Sequence, residues 1–322
     1  MTFTNSDPNV GPDLTRLCSR AALEWILKPK PRGPVTPTPV AHVIDPGPIH
    51  EPSVTWLGHA TALIAMGGEW IITDPVFAHR LGPTVARRAP VPLAPDLLPG
   101  VDRVMISHNH RDHLDAPSIR SLETLFQPHY IAPLGVDRDL EGMGVSPERI
   151  TTLGWWDTHT CESGPEAITM VPAQHWSQRG LLDRNRSWWG GYVLEHHTYT
   201  LYFAGDSGYC DDFKAIGARF SNIDLGLIPI GAYDPTWFMS PQHMNPEEAG
   251  QVMLDVGAKR MIPIHWGTYK LTAEPLDEPP ERLKAWGRTR GLEERLAIMP
   301  LGGRLTLNGM PSAHPPTARV GG

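Results

Sequence analysis

No run of 18 apolar residues occurs anywhere in this chain of 322 residues, so it carries no stretch of the length that a membrane-crossing helix needs. Lysine and arginine never form a block of more than a few residues. With a formal net charge of −7, that leaves no broad basic face for nucleic acid. Cysteine is scarce: Cys18, Cys161 and Cys210 are widely spaced and form no C-x-x-C, which argues against a disulfide framework and against a thiolate metal site. A reducing, cytoplasmic setting fits that usage. The opening MTFTNSDPNVGPDL has no basic stretch followed by an apolar core, so no secretory leader is read there. Neither a P-loop nor a Ser-His-Asp arrangement is evident, which disfavours nucleotide-driven chemistry and a covalent serine route. What remains is an ordinary globular composition, 40% hydrophobic, able to build a sizeable core in one large or two ordinary domains.

Organisation along the chain follows from its punctuation. Leu14, Leu17, Ala21, Leu23, Trp25 and Leu27 give residues 14–27 helical character, suited to packing on a main domain or to lying on a membrane surface. A proline-rich connector comes next, KPKPRGPVTPTPVAHVIDPGPIHEP. The expected division is residues 1–52 for this helix and connector, 53–308 for the folded domain and 309–322 for a disordered tail. Within the domain, Val54 to Ile64 reads as two strands around a Gly-His turn at His59. Glu69 to Thr73 reads as a third strand, ended by Asp74-Pro75. Ala116 to Phe126 reads as a helix with Asp115 as its N-cap and Pro117 in its first turn.

The stretch VDRVMISHNHRDHLDAPS, residues 101–118, sits between that third strand and that helix. It spells H-x-H-x-D-H with His108, His110, Asp112 and His113, directly after the apolar run Val104-Met105-Ile106. Imidazole and carboxylate are the ligands that zinc, iron and manganese share, and a catalytic ion takes about three protein ligands plus an open position. Three histidines and an aspartate in one loop exceed the needs of one such ion and suggest two. Three further apolar runs end in a metal-ligand type: residues 168–172 lead to His175, 199–204 to Asp206 and 260–264 to His265. Ligands at successive strand ends are what a rigid sheet needs to hold two ions in fixed geometry. Asp74, also at a strand end, is a candidate to orient a ligand histidine from behind, and it is equally a candidate cap before Pro75.

These residues resemble the ligand series of the metallo-β-lactamase superfamily. The words TWLGHAT, TDPVF, ISHNHRDHLD, PAQHWSQRGLLDRN, FAGDSGYC, IPIGAYDP and IHWGT are similar to those of one branch, the N-acylphosphatidylethanolamine-hydrolysing phospholipases D and their bacterial relatives, from about Val54 to about Leu307. The resemblance implies an α/β fold, an αββα sandwich of two mixed sheets with helices on the outer faces. It implies two zinc ions per chain, with iron or manganese fitting the same donors. His108, His110 and His175 would hold one ion and Asp112, His113 and His265 the other, with Asp206 between them and His59 and Asp74 behind the ligands.

The implied activity is that of a phospholipase D-type phosphodiesterase. A metal-bridging hydroxide would attack a phospholipid or another small phosphodiester, releasing phosphatidic acid and an N-acylethanolamine, with Asp112 orienting the hydroxide. His243 is a candidate for contacting phosphate or assisting the leaving group, against a role in entering the helix over 247–256. Tyr233, Trp237, Phe238 and Met239 form a candidate apolar wall for acyl chains, against simple loop packing. A homodimer and peripheral contact with the inner membrane face are further implications. The alternatives left open are a lactonase or small-molecule phosphodiesterase on the same site, and a metal-binding protein without turnover.

Overall fold

Ile71 and Ile72 are adjacent in the chain yet enter different cores, because successive strand side chains point to opposite faces of a sheet. A sheet apolar on both faces must be covered on both, and the computed structural model, which describes residues 2–8 and 52–307, shows how. The expected helix over 14–27, Cys18, nearly all of the proline-rich connector and the tail over 309–322 lie outside the described residues.

Among the described residues, fifteen strands run in chain order as β1 (Ser53–Gly58), β2 (Thr61–Met66), β3 (Glu69–Thr73), β4 (Arg80–Leu81), β5 (Val85–Ala86), β6 (Arg103–Met105), β7 (His129–Pro133) and β8 (Ile150–Leu153), then β9 (Thr158–Thr160), β10 (Ala167–Val171), β11 (Gly191–His196), β12 (Tyr199–Phe203), β13 (Leu225–Pro229), β14 (Arg260–Ile264) and β15 (Arg304–Thr306). One sheet has the order β15-β1-β2-β3-β6-β7-β8, the other β14-β13-β12-β11-β10-β9, and β4 pairs with β5 in a small ribbon. Both large sheets are mixed: β3, β6, β7 and β8 are parallel neighbours, as are β12, β13 and β14, while the remaining pairs are antiparallel.

Among the described residues, six helices accompany them, α1 (Ala116–Leu125), α2 (Asp137–Met143), α3 (Asp212–Arg219), α4 (Thr236–Met239), α5 (Pro246–Asp255) and α6 (Glu278–Arg290). Ile119 and Leu122 of α1 and Leu140 of α2 close over Leu63, Ile72, Val104 and Tyr130 on the outer face of the first sheet. Phe213 and Ile216 of α3, Val252 of α5 and Leu283 of α6 join the core of the second sheet, which is continuous with the layer where the two sheets meet. The architecture is the αββα sandwich. Its helix starts obey local chemistry: Asp115 accepts from the Ser118 amide, and Asn245 and Glu248 form a reciprocal capping box with Pro246 in the first turn. Among the described residues, no helix is long and apolar enough to cross a membrane.

Because β3 and β6 run parallel, their C-terminal ends share one edge of the first sheet. Asp74 N donates to Met105 O at 2.9 Å, which continues the β3–β6 pairing one residue past the strand end. Gly190 N donates to Ser107 O at 3.0 Å and Tyr192 Oη to Ile106 O at 2.8 Å, tying the same edge to the second sheet.

Close approach elsewhere leaves its own signature. A Cβ on Gly217 of α3 would lie 2.2 Å from Asp255 O, at the end of α5. Gly217→Ala would gain about 1 kcal/mol of helix propensity and lose about 1–3 kcal/mol to overpacking against backbone. Urea unfolding is expected to show net destabilisation, and a gain in stability would contradict this packing.

Candidate metal centre

Four of the strands that end at the shared edge each deliver one donor or a short series of them. β6 leads to His108, His110, Asp112 and His113, β10 to His175, β12 to Asp206 and β14 to His265. Their ligand atoms fall into contiguous groups. His108, His110 and His175 form one, with His108 Nε2 2.8 Å and His175 Nε2 3.3 Å from His110 Nδ1. Asp112, His113 and His265 form the second, together with His59. Asp206 Oδ2 lies 3.1 Å from His113 Nε2, 3.2 Å from His265 Nε2 and 3.8 Å from His243 Nδ1, and it also groups with His175. The seven residues of the expected ligand series are therefore one cluster.

Nitrogen tautomers are set from behind. Asp74 is fully buried, and its Oδ2 accepts from His113 Nδ1 at 2.6 Å and from the Ser107 hydroxyl at 2.5 Å. Its Oδ1 accepts from the Ser107 amide at 2.7 Å. With its proton committed to Asp74, Ser107 Oγ accepts from His108 Nδ1 at 2.9 Å. His175 Nδ1 donates to the Gln242 carbonyl at 2.9 Å. In His108, His113 and His175 the Nδ1 proton is thus spoken for and Nε2 is left as a lone-pair donor facing the cluster.

Charge and burial agree with a cation-binding role. Burial lowers His110 to about 3 and His175 to about 4 and takes His108 well below the ordinary value, so these are neutral imidazoles, the form that binds metal. Burial pushes Asp206 and Asp112 up, but His113 beside them outweighs it and holds both well below the usual carboxylate range. In the opposite sense Asp206 overrides the burial of His265 and brings it to about 9, and Asp206, Asp112 and Asp74 carry His113 well above 6.5. The buried carboxylates demand positive charge where His113 and His265 present Nε2. His110 Nε2, Asp206 Oδ1 and His265 Nδ1 are buried atoms with no hydrogen-bond partner, and His113 Nε2 and His265 Nε2 have the Asp206 carboxylate at 3.1 and 3.2 Å but no well-aligned hydrogen bond. Unpaired donors of nitrogen and oxygen type converging on two adjacent points fit metal ions. Backbone strain collects at this edge as well: His59, Asp74 and His265 are non-glycine residues with φ of 53°, 34° and 63°.

The remaining candidates are placed less uniformly. His59 Nε2 lies 3.1 Å from Asp112 Oδ2, and its ring lies 4.0 Å from that of His265. His243 lies beside the cluster, its ring 5.1 Å from His175, and its Nδ1 has no hydrogen-bond partner. The Met239 carbonyl accepts from its amide at 2.9 Å, so α4 with Trp237, Phe238 and Met239 runs directly into it. Tyr233 is different. It is 3% exposed, its hydroxyl donates to Glu278 Oε1 at 2.8 Å, and the Arg282 guanidinium lies over the ring. Those contacts make Tyr233 a packing element between β13 and α6, the packing alternative for this residue and not the acyl wall.

Three contributors were not anticipated. Ser107 adjoins His108, and a hydroxyl at the strand end beside a ligand was the available signal. Gln242 contributes a backbone carbonyl, which residue type does not encode. Asn5 comes from the far N-terminus, where its Oδ1 accepts from the His175 amide at 3.0 Å and from Trp189 Nε1 at 3.2 Å.

A family model described as "Beta-lactamase superfamily domain" matches residues 69–266, more than half of the chain. The chain belongs to the metallo-β-lactamase superfamily. Within that superfamily it is 40% identical over 242 residues to the N-acyl-phosphatidylethanolamine-hydrolyzing phospholipase D 1 of Caenorhabditis elegans, covering 71% of this chain and 68% of the worm protein. The mitochondrial N-acyl-phosphatidylethanolamine-hydrolyzing phospholipase D of Saccharomyces cerevisiae is 36% identical over 258 residues, 77% of this chain and 54% of the yeast protein. Among solved structures, an isothiocyanate hydrolase from Delia radicum gut bacteria shares the fold with a TM-score of 0.61 at 20% identity, covering 79% of this chain and 98% of that one. This superfamily member is a metal-dependent hydrolase, close to the N-acylphosphatidylethanolamine-hydrolysing phospholipases D.

If Asp74 sets the ligand tautomers, Asp74→Asn weakens metal affinity by about 10–100-fold while the ligands themselves are untouched. Competition with a chromophoric chelator measures it; unchanged affinity would remove Asp74 from this role.

Proposed function

We propose that this chain is a zinc-dependent phosphodiesterase that cleaves N-acylphosphatidylethanolamine to phosphatidic acid and N-acylethanolamine. The observation that carries the reading is the convergence of seven donors, five of them buried and His110 and Asp112 partly so, in two groups joined at Asp206, in a chain similar over most of its length to enzymes named for this reaction.

His108, His110 and His175 would hold one zinc ion and Asp112, His113 and His265 the other, with Asp206 shared. When bound, such a pair supplies an acidified water as nucleophile and neutralises charge on the phosphoryl oxygens. The chain's own residues do the rest. Asp112 is restrained by His59 and is partly exposed, which suits it to orient the attacking water by accepting its hydrogen bond. His243 is kept neutral by burial, and its unpaired Nδ1 can meet a phosphoryl oxygen or the leaving group. Trp237 and Phe238, partly exposed on α4 with rings 5.7 Å apart, and Met239 beside them offer apolar surface to an acyl chain on the approach to His243. On this reading the enzyme works in the cytoplasm, peripheral to the inner membrane face.

Mass-spectrometric product analysis with N-acylphosphatidylethanolamine in detergent micelles tests the reaction. Paired release of phosphatidic acid and N-acylethanolamine, abolished by a chelator and restored by zinc, is expected. No product from a chain that holds two zinc ions would overturn the lipid substrate and direct the search to smaller phosphodiesters and lactones. Asp112→Asn is expected to keep the fold and most of the zinc yet lose hydrolysis, and wild-type turnover in that variant would contradict the role of Asp112.

A further inference from the structure

Immediately after His175 and Trp176 the chain makes a tight excursion over residues 178–186 before returning at Ser187. Its tip exposes two consecutive leucines, Leu181 at 95% and Leu182 at 86%, more than any other large hydrophobic among the described residues. This exposure is not slack. The Asp183 carboxylate accepts from the Arg179 amide and, at 2.8 Å, from the Gly180 amide, while Asn185 N donates to Ser177 O at 2.8 Å and Ser177 Oγ to Ser187 O at 2.5 Å. The Arg179 guanidinium then anchors the excursion to the metal-ligand segment through Leu114 O at 2.7 Å and Asn109 O at 3.2 Å. A rigid turn thus holds two apolar side chains out in water, a few residues from the metal donors.

The surroundings of the tip are cationic, although the chain as a whole is not. Arg111 and Arg186 are exposed, Arg184 lies over the Trp176 ring at 5.0 Å, and Trp176 in turn packs on His110 with ring centroids 4.3 Å apart. Of the acidic residues nearby, Asp183 is engaged in closing the turn and Asp139, beside Arg179, accepts from Asn109 Nδ2 at 3.0 Å. Leucines outermost, arginines and a tryptophan beneath them, and the catalytic donors next match the order of a lipid interface, from acyl chains through phosphates to water.

We propose that residues 178–186 dock this enzyme on an anionic phospholipid surface, with Leu181 and Leu182 entering the acyl boundary and Arg111, Arg184 and Arg186 meeting lipid phosphates. The proposal deepens the phospholipid reading and rests on it for the substrate, but membrane binding itself can be measured without turnover. Docking at this point holds the segment that carries His108 to His113 close to the headgroups, since Arg179 ties the excursion to Asn109 and Leu114.

Vesicle flotation with the full-length, zinc-loaded chain tests it, using vesicles of phosphatidylethanolamine and phosphatidylglycerol in equal parts. The Leu181→Ser/Leu182→Ser double variant is compared with wild type, and bis(p-nitrophenyl) phosphate serves as a soluble diester that needs no membrane. Wild type is expected to float with the vesicles. The double variant should bind at least about tenfold more weakly, with turnover of the soluble diester unchanged. Equal vesicle binding by the two proteins, or none by wild type, would overturn the docking role. Loss of vesicle binding in the double variant, with no lipid cleaved by wild type, would support docking and sink the substrate reading alone. Cleavage of N-acylphosphatidylethanolamine in micelles with vesicle binding unaffected by the leucines would do the reverse.

Discussion

A single buried carboxylate, Asp74, reaches both halves of the donor cluster. It accepts a hydrogen bond from His113 Nδ1 directly and one from the Ser107 hydroxyl, whose oxygen in turn accepts from His108 Nδ1, so each ring must turn Nε2 toward the centre. Burial of that carboxyl raises it above the usual value, a cost that hydrogen bonds from His113 and Ser107 oppose. The arrangement is available only because β3 and β6 are parallel neighbours. Asp74 and Ser107 then leave the same edge of the sheet within hydrogen-bond reach, at the expense of a left-handed backbone at Asp74.

From this constraint the rest of the site is built outward. β10, β12 and β14 bring His175, Asp206 and His265 to the same edge from the second sheet, and His265 is tied across to the first sheet by its amide, which donates to His59 O at 2.9 Å. The sandwich thus does for the metal centre what a single loop could not. It sets donors more than 150 residues apart in sequence, His108 and His265, on two stiff layers whose shared core resists relative movement. The same edge carries the apolar and cationic features that would meet substrate, on α4 and on the excursion after Trp176.

Much of this was legible in the sequence because the chemistry is rare and its placement regular. Histidine and aspartate directly after apolar runs read as ligands at strand ends, and the structure gathers those seven residues into one cluster. The layers were readable from the same runs together with the superfamily resemblance. What stayed hidden depended on distance or on backbone. Nothing in residue type shows that the Gln242 carbonyl holds His175, or that Asn5 reaches across 170 positions to the His175 amide. Sequence leaves Tyr233 open between an acyl wall and loop packing, because an aromatic residue near a pocket segment looks the same whether it faces substrate or, as in this fold, a glutamate and an arginine of α6. The exposure of Leu181 and Leu182 was likewise invisible, since a Leu-Leu pair in sequence more often signals core.

Zinc per chain, measured by plasma mass spectrometry on wild type and on Asp206→Ala after saturation and removal of free metal, bears most directly on the proposal that the centre holds two ions. Two equivalents in wild type, falling to one or fewer when the shared carboxylate is removed, is the predicted result. One equivalent or none in wild type, or two retained without Asp206, would contradict it.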